Sequence, residues 1–174
     1  MNNIALDKKL MFKALKEAKR GIPYVYPNPA VGCVIYNGSK ILSTGYHKKF
    51  GGNHAEHEAI KNLDEMVKGL TMYVSLEPCT HTGKTGACLD LIDPEVFDRV
   101  VIAEKDPNSE ASGSIEKLKK RGIKVDLGLL KHEARKLNKR FYVFHEKKRP
   151  YVILKYASTL DGFIAQENGY SKWI

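Results

Sequence analysis

Segments with the composition of β-strands, spaced widely enough for a helix between them, limit the fold of this chain more than any other feature. Runs rich in β-branched and apolar residues lie at 71–76, 99–104 and 123–127. The segments between them predict helices at 88–92 and 114–121. Strands that alternate with helices are joined by crossovers and pair in parallel. The pattern therefore predicts an α/β fold with helices covering the sheet.

The first third of the sequence predicts a helix and a hairpin. Asp7 is placed to cap a helix that ends near residue 20. An Asn-Gly pair at 37–38 separates β-rich runs at 30–36 and 40–46, and this pair favours a two-residue hairpin turn. Because a hairpin is antiparallel, we expect a mixed sheet of about five strands.

The last third predicts a long amphipathic helix at 131–147 and a further strand at 151–156. Three apolar side chains of the helix are expected to face the core: Leu137, Phe141 and Phe144.

Composition narrows the class of protein. The chain has 174 residues, of which 43% are hydrophobic, and this suits one globular domain. We find no apolar core of a signal peptide and no stretch near the roughly 20 apolar residues that span a bilayer. Three cysteines are a poor framework for a disulfide-bonded secreted fold. We therefore expect a cytoplasmic protein without a membrane partner.

The formal charge of +9 is compatible with nucleic acid, an anionic membrane surface or a phosphorylated small molecule as a partner. The lysines are spread over several predicted helices, without a dense basic run interleaved with aromatic residues. We therefore interpret most of the excess charge as solvated helix faces rather than a nucleic-acid site.

Three side chains suit zinc: His54, Cys79 and Cys88. Two thiolates and one imidazole leave the fourth tetrahedral position for water or hydroxide, whereas a structural zinc site has a fourth protein ligand. The set therefore predicts a catalytic site with one Zn2+ per chain. Cys88 also opens a predicted helix, whose N-terminus is expected to lower the thiol pKa. The remaining cysteine, Cys33, lies inside a predicted strand and is expected to pack in the core.

Glu56 is the candidate acid and base. Residues i and i+2 do not share a face of a regular helix, so His54 and Glu56 cooperate only if His54 begins the helix predicted at 54–63. The two thiolates cancel the charge of Zn2+, so that a base must help to activate water.

These residues follow the zinc-deaminase signature, H-x-E and then P-C-x-x-C, but the second cysteine comes nine residues after Cys79 instead of three. Taken singly, a His-x-Glu triplet or a buried cysteine most often has no catalytic meaning. In this order, and at these boundaries of strands and helices, they favour a zinc hydrolase.

The stretch from Leu76 to Cys88, LEPCTHTGKTGAC, resembles the long-spaced cysteine motif of the pyrimidine deaminases of riboflavin biosynthesis. Members of this family are usually the N-terminal half of a bifunctional deaminase/reductase. Further blocks match in the same order, at 27–32, 45–47, 54–56 and 106–108. The resemblance covers about residues 8–174 and implies the cytidine-deaminase-like fold, a three-layer α/β/α sandwich.

The resemblance also implies a reaction, the hydrolytic loss of the 2-amino group from 2,5-diamino-6-(5-phosphoribosylamino)pyrimidin-4-one. The products are 5-amino-6-(5-phosphoribosylamino)uracil and ammonia. Glu56 would take a proton from the attacking water and return protons to the ring nitrogen and the leaving amine. Lys84 is a candidate phosphate contact. The residues that match the family's substrate-binding positions are Asn28, His47, His81, Lys84, Asp106 and Asn108.

Two loops depart from the family pattern. Gly86-Ala87 replaces two prolines before the second cysteine, and Ser109 replaces a proline after the 106–108 block. These departures concern the substrate contacts of the loops and not the metal ligands.

Residues 149–174 resemble the opening of the family's NADPH-dependent reductase domain. We therefore predict a deaminase domain at 1–148, followed by the opening segment of a truncated reductase domain. About 25 residues cannot build a dinucleotide-binding domain, so no reductase activity is expected, and NADP would be required only by the missing part. We expect a homodimer or homotetramer, because proteins of this fold usually associate and a tail strand exposes an apolar edge.

Two alternatives remain open. The same chemistry could act on a nucleoside, on guanine or on tRNA adenosine, for which the net charge offers some support. A noncatalytic zinc module that binds RNA would instead have a closed fourth coordination position and a contiguous basic face.

Overall fold

The computed structural model describes residues 3–81 and 86–172. Within these ranges the strands are β1 (Gly32–Tyr36), β2 (Ile41–Tyr46), β3 (Leu70–Val74), β4 (Phe97–Ile102) and β5 (Lys124–Leu127). The helices are α1 (Ile4–Lys19), α2 (Ala55–Lys61), α3 (Cys88–Leu91), α4 (Ser114–Lys120), α5 (Lys131–Leu137) and α6 (Lys139–Lys147).

The five strands form one sheet in the order β2-β1-β3-β4-β5. Strand β1 is antiparallel to both β2 and β3, whereas β3, β4 and β5 are mutually parallel. The predicted antiparallel hairpin and the predicted mixed sheet are therefore confirmed. The predicted two-residue turn is wrong, because four residues, 37–40, connect β1 to β2. Because of these directions, the segments before β1 and after β2, β3 and β4 all lie at the same edge of the sheet.

Helices cover both faces of the sheet. On one face, Met11 and Ala14 of α1 belong to an apolar cluster with Val34 and Tyr73 of the sheet. On the other face, Ala59 of α2 belongs to the larger cluster that contains strand residues such as Ile35, Met72 and Val100. The three-layer α/β/α prediction is confirmed. Cys33 is fully buried in the larger cluster, as expected from its place in a strand.

Two glycines let helices approach the sheet closely. A Cβ on Gly32 would lie 2.0 Å from the carbonyl oxygen of Ala14 in α1. A Cβ on Gly45 would lie 2.3 Å from both the carbonyl oxygen of Ala55 and the backbone nitrogen of Ala59 in α2. Backbone atoms cannot give way as a flexible side chain can, so Gly45 fixes how deeply the first turn of α2 is seated.

The N-terminal cap prediction was wrong. Helix α1 begins at Ile4, and the side chain of Asn3 caps it by accepting a hydrogen bond from the backbone N–H of Leu6 at 3.2 Å. Asp7 is one turn further on and buried, with Arg99 and Tyr73 as its partners. An Asp near a helix start resembles a cap, but here a nonlocal ion pair takes its carboxylate.

The C-terminal predictions also need correction. The helix predicted at 131–147 is interrupted at Asn138, which ends α5 and begins α6. Leu137 packs against the α1 cluster, but Phe144 is 58% exposed and does not face the core. Residues 151–156, which the structure describes, are exposed and form no strand. None of the helices among the described residues is long and apolar enough to cross a membrane.

Candidate metal centre and active site

The start of α2 carries the first half of the site. His54 is the N-cap residue, with an extended backbone (φ −73°, ψ 165°), and Glu56 lies in the first helical turn. This is the helix-start geometry that the two-residue spacing required. The preceding loop is attached to α2 by Glu58, which accepts a hydrogen bond from Asn53 Nδ2 at 2.9 Å and forms an ion pair with Lys48.

The cysteines carry the second half. Cys79 lies in the segment after β3, and Cys88 is the first residue of α3. The backbone N–H of Cys88 points to Cys79 Sγ at 3.3 Å, and the N–H of Leu89 donates to the Cys79 carbonyl oxygen at 3.1 Å. These contacts hold the two thiols together although they are nine residues apart.

The three donor atoms converge on one point. His54 Nδ1 lies 3.2 Å from Cys88 Sγ and 3.5 Å from Cys79 Sγ, and all three donor atoms lie within 4.8 Å of one another. A tetrahedral zinc ion would hold an imidazole nitrogen and a thiolate sulfur about 3.6 Å apart, given ordinary Zn–N and Zn–S bond lengths. The donor types and their separations therefore fit zinc.

The two neighbouring thiols shift each other's pKa in opposite directions. A hydrogen bond from Cys88 lowers the pKa of Cys79 to about 4, and the same bond, together with burial, raises the pKa of Cys88. A lowered pKa was expected for Cys88 from its place at a helix start, and this was wrong. The effect of the neighbouring Cys79 on the pKa is larger than that of the four-residue helix α3. A bound dication would favour the thiolate form of both cysteines.

Glu56 is only 3% exposed and lines the same cavity as His54 and Cys79. Burial raises the pKa of its carboxyl group. A buried carboxyl group whose pKa is raised is suited both to accept a proton and to return it.

Asn28 and His47 form a fixed pair at the wall of the cavity. His47 Nδ1 lies 2.9 Å from the carbonyl oxygen of Asn53, which can only accept a hydrogen bond, so Nδ1 carries the hydrogen. Burial lowers the pKa of His47, which favours the neutral ring. The other nitrogen, Nε2, therefore accepts a hydrogen bond from Asn28 Nδ2 at 3.1 Å.

Asp106 and Asn108 lie in the segment after β4. Asp106 Oδ1 accepts a hydrogen bond from the backbone N–H of Asn108 at 2.8 Å. Burial raises the pKa of Asp106 to about 6. Both residues line the cavity, as does His81, whereas Lys84 lies outside the described residues.

One cavity of about 1270 Å³ brings most of the predicted residues together. A volume of this order exceeds what a pyrimidine with a ribose phosphate requires. Cys88 is 1% exposed and is not one of the residues that line the cavity. The predicted site residues that line the cavity are Asn28, His47, His54, Glu56, Cys79, His81, Asp106 and Asn108.

Glu77 was not predicted from the sequence as a site residue, yet its carboxylate joins three segments around the cavity. Its Oε1 accepts hydrogen bonds from the backbone N–H groups of Gly113 at 2.8 Å and Ser114 at 2.9 Å. Its Oε2 accepts one from the backbone N–H of Asp106 at 3.2 Å. One carboxylate thus joins the Cys79 segment to the Asp106 loop and the start of α4. The only signal in the sequence is a charged residue placed between an apolar strand and a predicted ligand.

Comparison with known proteins agrees with this arrangement. Residues 4–104 match the family described as cytidine and deoxycytidylate deaminase zinc-binding region. The riboflavin biosynthesis protein RibD of Aquifex aeolicus is 48% identical over 170 residues, which are 97% of this chain and 48% of that protein. The chain thus spans about half the length of such relatives.

A second relative and a solved structure indicate the same family. A diaminohydroxyphosphoribosylamino-pyrimidine deaminase of Buchnera aphidicola subsp. Schizaphis graminum is 44% identical over 137 residues, 78% of this chain and 93% of that protein. The crystal structure of the deaminase/5-amino-6-(5-phosphoribosylamino)uracil reductase of Thermotoga maritima superposes with a TM-score of 0.94 at 44% identity, covering 99% of this chain and 50% of that chain. The chain therefore belongs to the cytidine and deoxycytidylate deaminase family and, within it, to the diaminohydroxyphosphoribosylaminopyrimidine deaminases.

Proposed function

We propose that this chain deaminates 2,5-diamino-6-(5-phosphoribosylamino)pyrimidin-4-one by hydrolysis, giving 5-amino-6-(5-phosphoribosylamino)uracil and ammonia in riboflavin biosynthesis. The observation that carries the proposal is the convergence of His54, Cys79 and Cys88 beside the buried carboxyl group of Glu56. The substrate is inferred from the names of the relatives. The Buchnera deaminase has the most weight, because the chain covers 93% of it.

We assign His54 Nδ1 and the two cysteine sulfurs as zinc ligands, with the fourth position left to solvent. When bound, zinc would supply the Lewis acid that activates a water molecule. Glu56 then accepts a proton from the attacking water and delivers protons to the ring nitrogen and to the leaving amine. Its burial supports this role, because the proton is held away from bulk solvent.

The remaining predicted residues are assigned to the substrate. Asn28 has its amide nitrogen engaged by His47, so its carbonyl oxygen is left to accept a hydrogen bond from an amino group or a ring N–H. His81, Asp106 and Asn108 also line the cavity. Lys84 is kept as the candidate phosphate contact on the basis of its charge.

We also propose a deaminase domain over 1–148 and the opening segment of a reductase domain over 149–174, with NADP required only for a reductase. We further propose that the chain forms a homodimer or homotetramer and is located in the cytoplasm. Its partner is a phosphorylated small molecule rather than nucleic acid. The names and bacterial origin of the biosynthetic relatives support the small-molecule substrate and the cytoplasmic location.

Ammonia release from a panel of substrates tests the function. The zinc-loaded protein is expected to act on the diaminopyrimidine phosphoribosyl compound and not on cytidine, guanine or tRNA adenosine. Activity on tRNA alone would contradict the assignment. A protein that binds zinc but releases ammonia from no substrate would favour a noncatalytic module.

Replacement of Glu56 by Gln tests its role. Glu56→Gln keeps the size of the side chain but loses its proton affinity, so kcat should fall by about 10²–10⁴-fold while zinc content is unchanged. Glu116→Gln removes an exposed carboxylate of α4 and serves as the matched control, with wild-type turnover expected. Full turnover by Glu56→Gln would show that another group moves the protons.

A further inference from the structure

Asn138 interrupts a helix that its sequence neighbours would continue. Its backbone, at φ −109° and ψ 33°, is the end of α5 and the start of α6. The hydrogen bonds on either side remain helical, from the N–H of Asn138 to the Ala134 oxygen at 3.3 Å and from the N–H of Tyr142 to the Asn138 oxygen at 3.1 Å. At this break the Asn138 side chain contacts a segment outside both helices.

That segment is the loop before β1. The backbone N–H of Ala30 donates to Asn138 Oδ1 at 2.8 Å, and Asn138 Nδ2 donates to the Ala30 carbonyl oxygen at 2.8 Å. The two residues are 108 positions apart, and both are buried. A side-chain amide that satisfies both backbone groups of one residue acts as a substitute for a neighbouring strand.

The loop that Asn138 binds, before β1, contains Asn28, a proposed substrate contact. Asn28 lies two residues before Ala30, and its amide reaches His47 Nε2. The backbone N–H of His47 donates to the carbonyl oxygen of Val31 at 3.0 Å, directly after Ala30. Asn28, Ala30, His47 and Asn138 all line the cavity that contains Glu56.

We propose that Asn138 is a positioning residue, which fixes the loop at 27–31 so that Asn28 and His47 face the substrate in one arrangement. This proposal rests on the proposed function for its kinetic part. Without Asn138, the N–H and carbonyl groups of Ala30 lose their partners in a buried place, and the loop must move until water reaches them. The metal ligands come from other segments, so the zinc site should be unaffected.

The kinetic test uses two substitutions and a control. Asn138→Leu is similar in size but cannot form hydrogen bonds, and Asn138→Ser leaves room for water. We expect KM for the diaminopyrimidine substrate to rise about tenfold or more, with kcat within about threefold and zinc content unchanged. Tyr73→Phe removes a different buried hydrogen bond, from Tyr73 Oη to Asp7 Oδ1 at 2.6 Å, on the α1 face of the sheet. It should lower stability without changing KM.

A second measurement does not depend on turnover. The ring nitrogens of His47, observed by NMR, should shift in Asn138→Ser because the hydrogen bond from Asn28 is lost, and they should stay in place in Tyr73→Phe. If Asn138→Leu does not fold, Asn138→Ser decides by the same criteria. Unchanged His47 signals, or a KM within twofold of wild type, would overturn the proposal. An inactive wild-type protein would count against the proposed function instead, and the His47 signals would still decide the role of Asn138.

Discussion

Arg99 binds both carboxylate oxygens of Asp7, through Nη1 to Oδ1 at 2.9 Å and Nη2 to Oδ2 at 2.8 Å. This pair joins α1 to β4 across 92 residues of sequence, and Tyr73 donates a third hydrogen bond to the same carboxylate. The bond from Arg99 holds the pKa of Asp7 below its ordinary value.

A lowered pKa in the folded state gives a stability contribution that depends on pH. The contribution is complete above the pKa of the unfolded chain, near 3.9 for an aspartate, and is lost as the pH falls through the lower pKa of the folded state. Asp7→Asn should therefore destabilise the protein at pH 7 by about 2 kcal/mol, because Arg99 loses one of its two anionic partners among the described residues and keeps Asp126. Urea unfolding at pH 7 and at pH 3 checks this, and the difference between the proteins should shrink at pH 3. A pH-independent difference would show that packing, not the ion pair, is responsible.

Substitution of Gly45 tests how α2 is seated on the sheet. An added Cβ would lie 2.3 Å from backbone atoms of Ala55 and Ala59, so α2 must move outward. We expect Gly45→Ala to cost about 2 kcal/mol of stability and to weaken zinc binding, because His54 begins this helix. Gly86→Ala is the control, since a Cβ there meets nothing within 4 Å and its unfolding midpoint should be unchanged. Equal midpoints for the two variants would contradict the close approach at Gly45.

Zinc binding should distinguish Cys88, a proposed ligand, from Cys33. Wild-type protein and Cys33→Ala should each hold about one zinc ion per chain, since Cys33 lies in the core. Cys88→Ser removes a proposed ligand and should weaken zinc binding by on the order of a hundredfold in competition with a chromogenic chelator. If Cys88→Ser competes as well as wild type, the ligand assignment is wrong.

Glu77 should affect substrate binding through its neighbours. In Glu77→Gln, an amide N–H group replaces Oε2 and would face the backbone N–H of Asp106, which is also a donor. We expect the loop at 104–113 to shift, with a severalfold rise in KM and a loss of about 1–2 kcal/mol in stability. Michaelis kinetics and urea unfolding measure the two effects. An unchanged KM would mean that the Asp106 loop does not depend on this bond.

The reactive residues of the site were easier to predict from the sequence than the residues that hold them in position. Zinc accepts few residue types, so His54, Cys79 and Cys88 stood out in the sequence, and the spacing to Glu56 required a helix start that the structure contains. Their convergence in space follows from the strand directions. Their roles as ligands and base remain proposals until zinc and turnover are measured.

The supporting contacts have no local signature. The apolar pattern continues through 131–147, and nothing near Asn138 indicates a partner 108 residues earlier. Asp7 likewise resembles a cap in sequence, whereas its partner Arg99 lies on a distant strand. Periodicity reports only which face of an element is buried, and pairings between distant polar groups depend on the folded chain.

At the common edge of the sheet, the residues assigned to the reaction and the loops that surround the substrate come from different segments. The groups assigned to the hydrolytic step lie at the start of α2, in the segment after β3 and at the start of α3. The loop before β1 and the loop after β4 supply other parts of the cavity wall. A library of variants confined to residues 22–31 and 104–113 would therefore search for new amino-substituted rings without altering the reactive centre. Asn138 and Glu77 should be kept constant in such a library, because each of them aligns one of the two loops.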